Sequence, residues 1–511
     1  MDNQKTLNII AAGAFITIFG SVISKFITYF YRLIVGRFLG PEAYGQLSLA
    51  LMALGIFNTL ALLSLGPGLK QKIPQTASKI EQLAYVKSAY KMTLPFSLAL
   101  STILFFSSEF IAIQVFESPN LGILIKTLAF VPVFNSISYI SVETFLAYKE
   151  PKYSALINQI LQNLIQLITT GLLIFAGWQV LAAAIGWTVG AVTTSLLAFF
   201  LLWKYKFPDF FKIRDLEDKK SELLHFSLPL MLSGMIGTIL GWTDTFFIGY
   251  FMNDAQVGFY NAALPTAILL TIPMKALGTV SLPSLSTDSL ESKNKVRSTL
   301  KTMERWTLSA AFPGFILMAL FSEEILNVLF GAEYIVSAQA LVILSFGYFF
   351  SASTGRMGDI VKTYEKTDVL FKNTLAKFVL NIPLNIILIP EYGLVGAAAA
   401  TTASIMVVNT LLLIEGKYLF DIHPFSAELF KPVLAVIFPL FLVYMVVNST
   451  FAIVPIWVLI PSAIAFGLLY LISLAVLGGL KEEDKFVLID LGSKIGLEDE
   501  SEKLAKLICR G

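Results

Sequence analysis

The sequence predicts an all-α polytopic membrane protein with about fourteen transmembrane helices. Three observations carry that prediction. Of the 511 residues, 56% are hydrophobic and only 14% charged, with a mean hydropathy of +0.75; soluble folds run at about 45 to 50% apolar. Apolar runs long enough to cross a hydrocarbon core of about 30 Å, which takes about 20 residues of helix, recur along the chain. The loops between these runs alternate between basic and acidic. A closed barrel also satisfies its backbone in lipid, but it is built of short alternating segments, which these are not.

In order, spans 1 to 14 fall near residues 9–36, 43–66, 88–108, 120–147, 154–176, 180–203, 224–251, 257–284, 300–322, 335–361, 369–390, 394–416, 430–448 and 455–479. The loops after spans 2, 4, 6, 8, 10 and 12 carry Lys70, Lys72 and Lys79; Lys149 and Lys152; Lys204 through Lys220; Lys293, Lys295 and Arg297; Lys362 and Lys366; and Lys417. Those after spans 3, 5, 7, 9, 11 and 13 carry no lysine or arginine, and what charges they have are acids such as Glu117, Asp254, Glu323, Glu324 and Glu391. Arg37, after span 1, breaks the pattern. Because basic loops stay on the cytoplasmic side, the expectation is a multi-pass protein of the cytoplasmic membrane with both termini cytoplasmic. The first apolar run is longer than the roughly 7 to 15 residues of a signal-peptide core, so the N-terminus is expected to be retained. A single cysteine, Cys509, excludes a disulfide framework within one chain, and a net charge of +2 gives no nucleic-acid signal.

The chain also repeats itself. "VGRFLGPEAYGQL" (35–47) aligns with "IGYFMNDAQVGFY" (248–260) at an offset of 213, pairing Gly36 with Gly249, Phe38 with Phe251 and Gly45 with Gly258. Asn158, Gln162, Gln166 and Thr170 of span 5 match Asn373, Lys377, Asn381 and Asn385 of span 11 at an offset of 215. Each half holds six spans, an even number, so the halves are parallel repeats and a ligand site between them is expected. The expected division is an N-lobe at 1–210, a cytoplasmic linker at 211–222, a C-lobe at 223–420, spans 13 and 14 at 425–479 and a cytoplasmic tail at 480–511.

The "GRFLGPEAYG" loop after span 1, "FSLPLMLSGMIG" opening span 7 and "AQVGFYNAA" opening span 8, in that order, resemble polysaccharide repeat-unit and oligosaccharide flippases. These belong to the multidrug/oligosaccharidyl-lipid/polysaccharide exporter superfamily, and the likeness covers residues 5–480. The resemblance implies two bundles in a V, alternating access, and transfer of a lipid-linked glycan from the inner to the outer leaflet. It also implies glycosyltransferases or a polymerase of the same pathway as partners.

Within the spans, Lys25, Tyr29, Arg32 and Gly36 fall at i, i+4, i+7 and i+11 and share one stripe of span 1. An ionised side chain at mid-membrane costs about 3 kcal/mol on insertion scales and ordinarily faces protein or water. Long cations near helix ends snorkel instead, which suits Arg37. Lys25 lies close to the middle of its span, and with Arg32 it is expected to act as counter-ion to a substrate phosphate. Tyr29 either offers a ring face to a sugar or packs against a neighbouring helix.

Asp244 aligns with Tyr31 in the repeat, next to Arg32, and shares a face with Gly237 and Gly241, a spacing that admits a close helix neighbour. Interlobe pairing with Arg32, coupling to a proton or Na⁺, and a static interhelical bond all fit it. Lys275, inside span 8 among Pro265, Pro273 and Pro283, is a second candidate for the cavity, with Lys126 of span 4 behind it. Gln166 and Asn381 of the matched polar stripes suit sugar hydroxyls, and the same amides also join helices. Arg356 and Asp359, at i and i+3, read as a local ion pair.

No catalytic constellation is present, metal-ligand spacings are missing, and no cofactor is expected; His225 and His423 lie far apart at span ends. A non-enzymatic flippase is therefore the expectation. A cation-coupled multidrug exporter of the same superfamily is the alternative, although such chains resemble twelve-span proteins with acids, rather than cations, in the first lobe. A membrane-embedded glycan polymerase or ligase fits less well, because every expected outer loop is about a dozen residues or fewer.

Overall fold

A computed structural model of the chain describes residues 2–213, 216–278, 292–354, 356–450, 456–481 and 484, and every regular element among them is helical. Nine helices of the described residues are long and apolar enough to cross a membrane, or ten if the pair Lys293–Leu320 and Ser322–Leu329, bent by 86°, forms one span. Two helices are far longer than one crossing. Asp2–Ala61 contains the run of span 1 and most of span 2, and Thr367–Phe420 those of spans 11 and 12. Each leaves helical geometry at one glycine, Gly40 (φ 81°) and Gly393 (φ 56°), a region that side chains with a Cβ avoid. Pro41 follows the first break with the φ a new helix start requires. These span pairs are therefore joined without a loop.

The chain divides into two compact units. The first comprises Met1–Pro265, Leu329–Ser337 and Thr374–Ala400. Lipid gives little hydrophobic drive between helices, so close packing of small residues has to supply contact. Span 6 does this with Gly186 and Gly190, whose bare faces lie against Gln162, Gln166 and Thr170 of span 5. At the lysine-rich ends a fuller apolar cluster forms from Leu65, Leu69, Ile73, Val86, Phe145 and Leu223, among others.

The internal repeat is visible in the packing of this unit. A Cβ on Gly45 would collide with the Asp254 carbonyl, and one on Gly258 with the Pro41 carbonyl. Asp254 and Pro41 are themselves 213 residues apart, as are Gly258 and Gly45, so the two contacts are one contact made twice. Likewise Gly36 lies against the ring of Phe330 and Gly249 against that of Phe116, residues offset by 214. Polar bonds fix the crossing. Asp254 accepts from Gln46 at 3.0 Å and from Ser118 at 2.5 Å, Tyr44 donates to the Asn261 carbonyl at 3.0 Å, and Tyr334 donates to the Gly36 carbonyl at 2.9 Å.

The second unit comprises Thr266–Val328, Ala338–Asn373 and Thr401–Gly511. Spans 13 and 14 pack on span 9 through Phe321, Ala435, Val436, Phe466 and Tyr470. Beyond span 14 the chain is clasped back: Arg305 donates to both Asp484 carboxylate oxygens at 2.6 and 2.9 Å and to the Gly479 carbonyl at 2.7 Å. Trp306 and the Lys481 main-chain N–H also donate to Asp484, and Lys481 pairs with Glu428 at 2.7 Å.

Candidate functional site

The first unit carries most of the residues singled out from sequence. Along the stripe of span 1, Lys25 is exposed, Tyr29 and Arg32 are half-buried, and Gly36 is sealed against Phe330. Asn163 donates to Ser24 at 2.9 Å, and Gly20 packs on Gln159, so the adjacent face of span 1 is held against span 5. Arg32 lies within electrostatic reach of the Tyr44 hydroxyl, beyond the Gly40 break on the same helix.

Two buried polar clusters stand at equivalent places in the repeat. In the second half, Asp244 accepts from Tyr260 at 2.6 Å and from Asn385 at 3.0 Å, and Asn385 also donates to Asn381 at 3.1 Å. Lys377, one turn before Asn381, lies within electrostatic reach of the same carboxylate. In the first half, the Tyr31 hydroxyl is buried among Gln166, Thr170 and Trp187 and meets none of them with full hydrogen-bond geometry. By the offsets of 213 and 215, Tyr31 corresponds to Asp244, Gln166 to Asn381 and Thr170 to Asn385. One half thus carries a carboxylate and a lysine where the other carries a phenol and an amide.

The structure brings Asp244 and Asn381 together through Asn385, and it buries Gln166 beside Tyr31. Gly237 and Gly241 have nothing within 4 Å of a Cβ among the described residues, so no described helix is seated on their face. Lys126 pairs with Glu109 at 2.5 Å at the edge of the unit.

In the second unit Lys275 is exposed. Arg356 is wholly buried, donating to Thr307 at 3.3 Å and to the Met274 carbonyl at 2.8 Å, with Asp359 at 3.8 Å. A second acid, Glu304, lies 3.9 Å from Arg356, 1% exposed, its carboxylate oxygens accepting no hydrogen bond among the described residues. Sequence reasoning did not single out Glu304 or Tyr260, and it named Lys377 only as part of the span 11 stripe. Lys377 had a signal, since a cation stands there where the repeat partner is the amide Gln162. Among the described residues there is no group of three or more His, Cys, Asp or Glu side chains placed to hold a metal.

Residues 34–339 match the family model described as polysaccharide biosynthesis protein. The chain belongs to that family. A probable low-salt glycan biosynthesis flippase of Haloferax volcanii, Agl15, is 26% identical over 48% of this chain and 50% of its own. Stage V sporulation protein B of Bacillus subtilis is 22% identical over 78% of this chain and 82% of its own. The chain aligns with about half or less of the length of most of its relatives. Among solved structures, the lipid II flippase MurJ in an inward closed conformation aligns with a TM-score of 0.74 at 18% identity, over 90% of this chain and 98% of that one. An inward-facing MATE multidrug transporter aligns at 0.64 and 14% identity over 80% and 98%. At such identities the likeness establishes the fold: the chain is a polytopic helical membrane protein with the architecture those transporters share.

Proposed function

We propose that this chain is a flippase that carries a lipid-linked oligosaccharide or polysaccharide repeat unit across the cytoplasmic membrane by alternating access, its basic loops and both termini facing the cytoplasm. The observation that carries the reading is the graded basic stripe of span 1 in a chain of this family, Lys25 exposed and Arg32 half-buried. A glycan linked to lipid through phosphate presents an anionic head that loses its water on entering low dielectric, and fixed cations compensate that loss. Lys25 takes up the head first; Arg32 and Tyr44 lie deeper along the same helix, and the lipid tail stays in the bilayer. Residues 1–210 and 223–420 act as the two lobes whose rocking moves the head across. The names of the Haloferax relative and the solved neighbour, both flippases, support the same cargo class.

Asp244 is the proposed coupling residue. Its carboxylate is already wrapped by donors, Tyr260 and Asn385, with Lys377 nearby, whereas a bound metal cation needs acceptors around it. A proton is therefore the better coupling ion than Na⁺. Gln166 and Asn381, both buried within helix packing, are proposed to hold the clusters in shape. Lys275 is proposed to meet the anionic cargo from span 8. Glycosyltransferases or a polymerase of the same pathway are the proposed partners.

The test is reconstitution of the full chain into proteoliposomes containing a fluorescent phosphate-linked oligosaccharide lipid, read by quenching of outer-leaflet label. Protein-dependent exchange between leaflets supports the reading. Transport of an amphiphilic cationic drug with no exchange of the glycolipid would favour the multidrug exporter instead.

A further inference from the structure

At the lysine-rich end of the first unit, the turn 207–213 folds back on span 3 and leaves a cavity of about 390 Å³ lined by Lys87, Lys91, Leu94, Pro95, Phe210 and Phe211. We propose that this cavity binds one anionic glycerophospholipid of the membrane, its phosphate on Lys91 and Lys87 and an acyl chain running along Leu94 and Pro95.

Charge is the first argument. Lys87 and Lys91 are one turn apart on one helix face. The Lys87 ammonium is pinned, donating to the Ile213 carbonyl and standing 5.1 Å from the Phe210 ring centre, so it forms a fixed positive wall. Lys91 is exposed and free to meet a phosphate. Its charge reaches Asp218, which already accepts from the Lys220 main chain and pairs with the Lys220 side chain at 3.3 Å.

The apolar wall is the second argument, and it selects a lipid over a free anion. Phe210 packs edge-on against Tyr90, Phe199 and Phe211, and Phe211 against Trp203, which makes a rigid aromatic shelf of the kind that sits at headgroup depth. Beyond Lys91 the same helix turns apolar and stays accessible, with Pro95, Phe96 and Leu98 all exposed. A soluble phosphate has no use for that surface; an acyl chain has. The lysine-rich end is also where an anionic leaflet would lie under the proposed orientation, so the ligand is at hand.

Native mass spectrometry of the full chain, released from nanodiscs of mixed phosphatidylglycerol and phosphatidylcholine, tests the proposal. One phosphatidylglycerol should be retained over phosphatidylcholine by about fivefold per lysine engaged. Lys91→Gln should lower that preference by about fivefold and Lys91→Arg keep it. Lys212→Gln, an exposed residue paired with Asp209 and outside the cavity, should leave it unchanged. Equal retention of the two lipids, or an unaltered preference in Lys91→Gln, would overturn the site. Displacement of the lipid by excess glycerol 3-phosphate would show a free-anion site and overturn the lipid assignment.

Discussion

Gly45 and Gly258 hold equivalent places in the two repeats, and each turns its bare α-carbon onto the backbone of the residue that starts the other's helix: Gly45 onto Asp254, Gly258 onto Pro41. The first repeat therefore grips the second by the same device with which the second grips the first. Backbone on backbone leaves nothing flexible to move aside.

Because the obstacle is main chain, Gly45→Ala and Gly258→Ala should each destabilise the protein by roughly 1 to 3 kcal/mol, the range of overpacked sites. The reading is a lower thermal midpoint in detergent, similar for the two variants. Gly171→Ala, where nothing lies within 4 Å of a Cβ, should leave the midpoint unchanged or raise it.

Asp244→Asn keeps the shape of the cluster and removes its charge. In proteoliposomes with an imposed pH gradient, glycolipid movement by the unaltered chain should respond to the gradient, while Asp244→Asn should move the lipid at a rate independent of it. Replacing Na⁺ by choline should change neither. A full pH response in Asp244→Asn would remove Asp244 from the coupling step.

The clasp of Arg305 on Asp484 is buried and bidentate, so removing one partner leaves the other charge stranded. Arg305→Met should cost about 3 to 5 kcal/mol, and a matched apolar pair at 305 and 484 should recover much of it. Proteolysis at the span 14 boundary would report both.

Acid should loosen the same corner. Burial raises the Asp484 carboxyl, but Arg305, the Lys481 N–H and Trp306 more than offset it and hold it below the ordinary range; a hydrogen bond from Lys481 does the same for Glu428. Both folded values lie below the unfolded ones, so this stability is fully present above the ordinary carboxylate pKa of about 4 and is lost as pH falls through the folded values. Protection of Asp484's neighbourhood from hydrogen exchange should be flat from pH 8 to about 5 and fall only below that.

Much of this was legible in the residues. Helical membrane class and the internal repeat follow from hydropathy and from paired positions such as Gly45 and Gly258, because lipid permits few structures and a duplicated sequence keeps its spacing; the described residues hold nine or ten candidate spans, and the count of fourteen rests on the sequence alone. Partners were not legible. Asp244 could be matched to Tyr31, but that Tyr260 and Asn385 supply its hydrogen bonds depends on three helices converging, which no spacing encodes. The spacing of Gly237 and Gly241 announced a helix contact, yet no described residue comes within 4 Å of a Cβ there, since small residues permit close approach without requiring it. Glu304 escaped notice because its partner, Arg356, is 52 residues further along the chain.

The central claim is that fixed cations on span 1 receive an anionic lipid-linked head, and the most direct measurement is the leaflet-exchange rate of a phosphate-linked oligosaccharide lipid in proteoliposomes carrying Lys25→Ala, Lys25→Arg or Arg32→Ala. Loss of a desolvated charge-assisted contact worth about 1.5 to 3 kcal/mol should slow exchange roughly tenfold to a hundredfold in the two alanine variants. Lys25→Arg should retain most of the rate. Unaltered exchange in Lys25→Ala and Arg32→Ala, with both variants normally folded and inserted, would contradict the account.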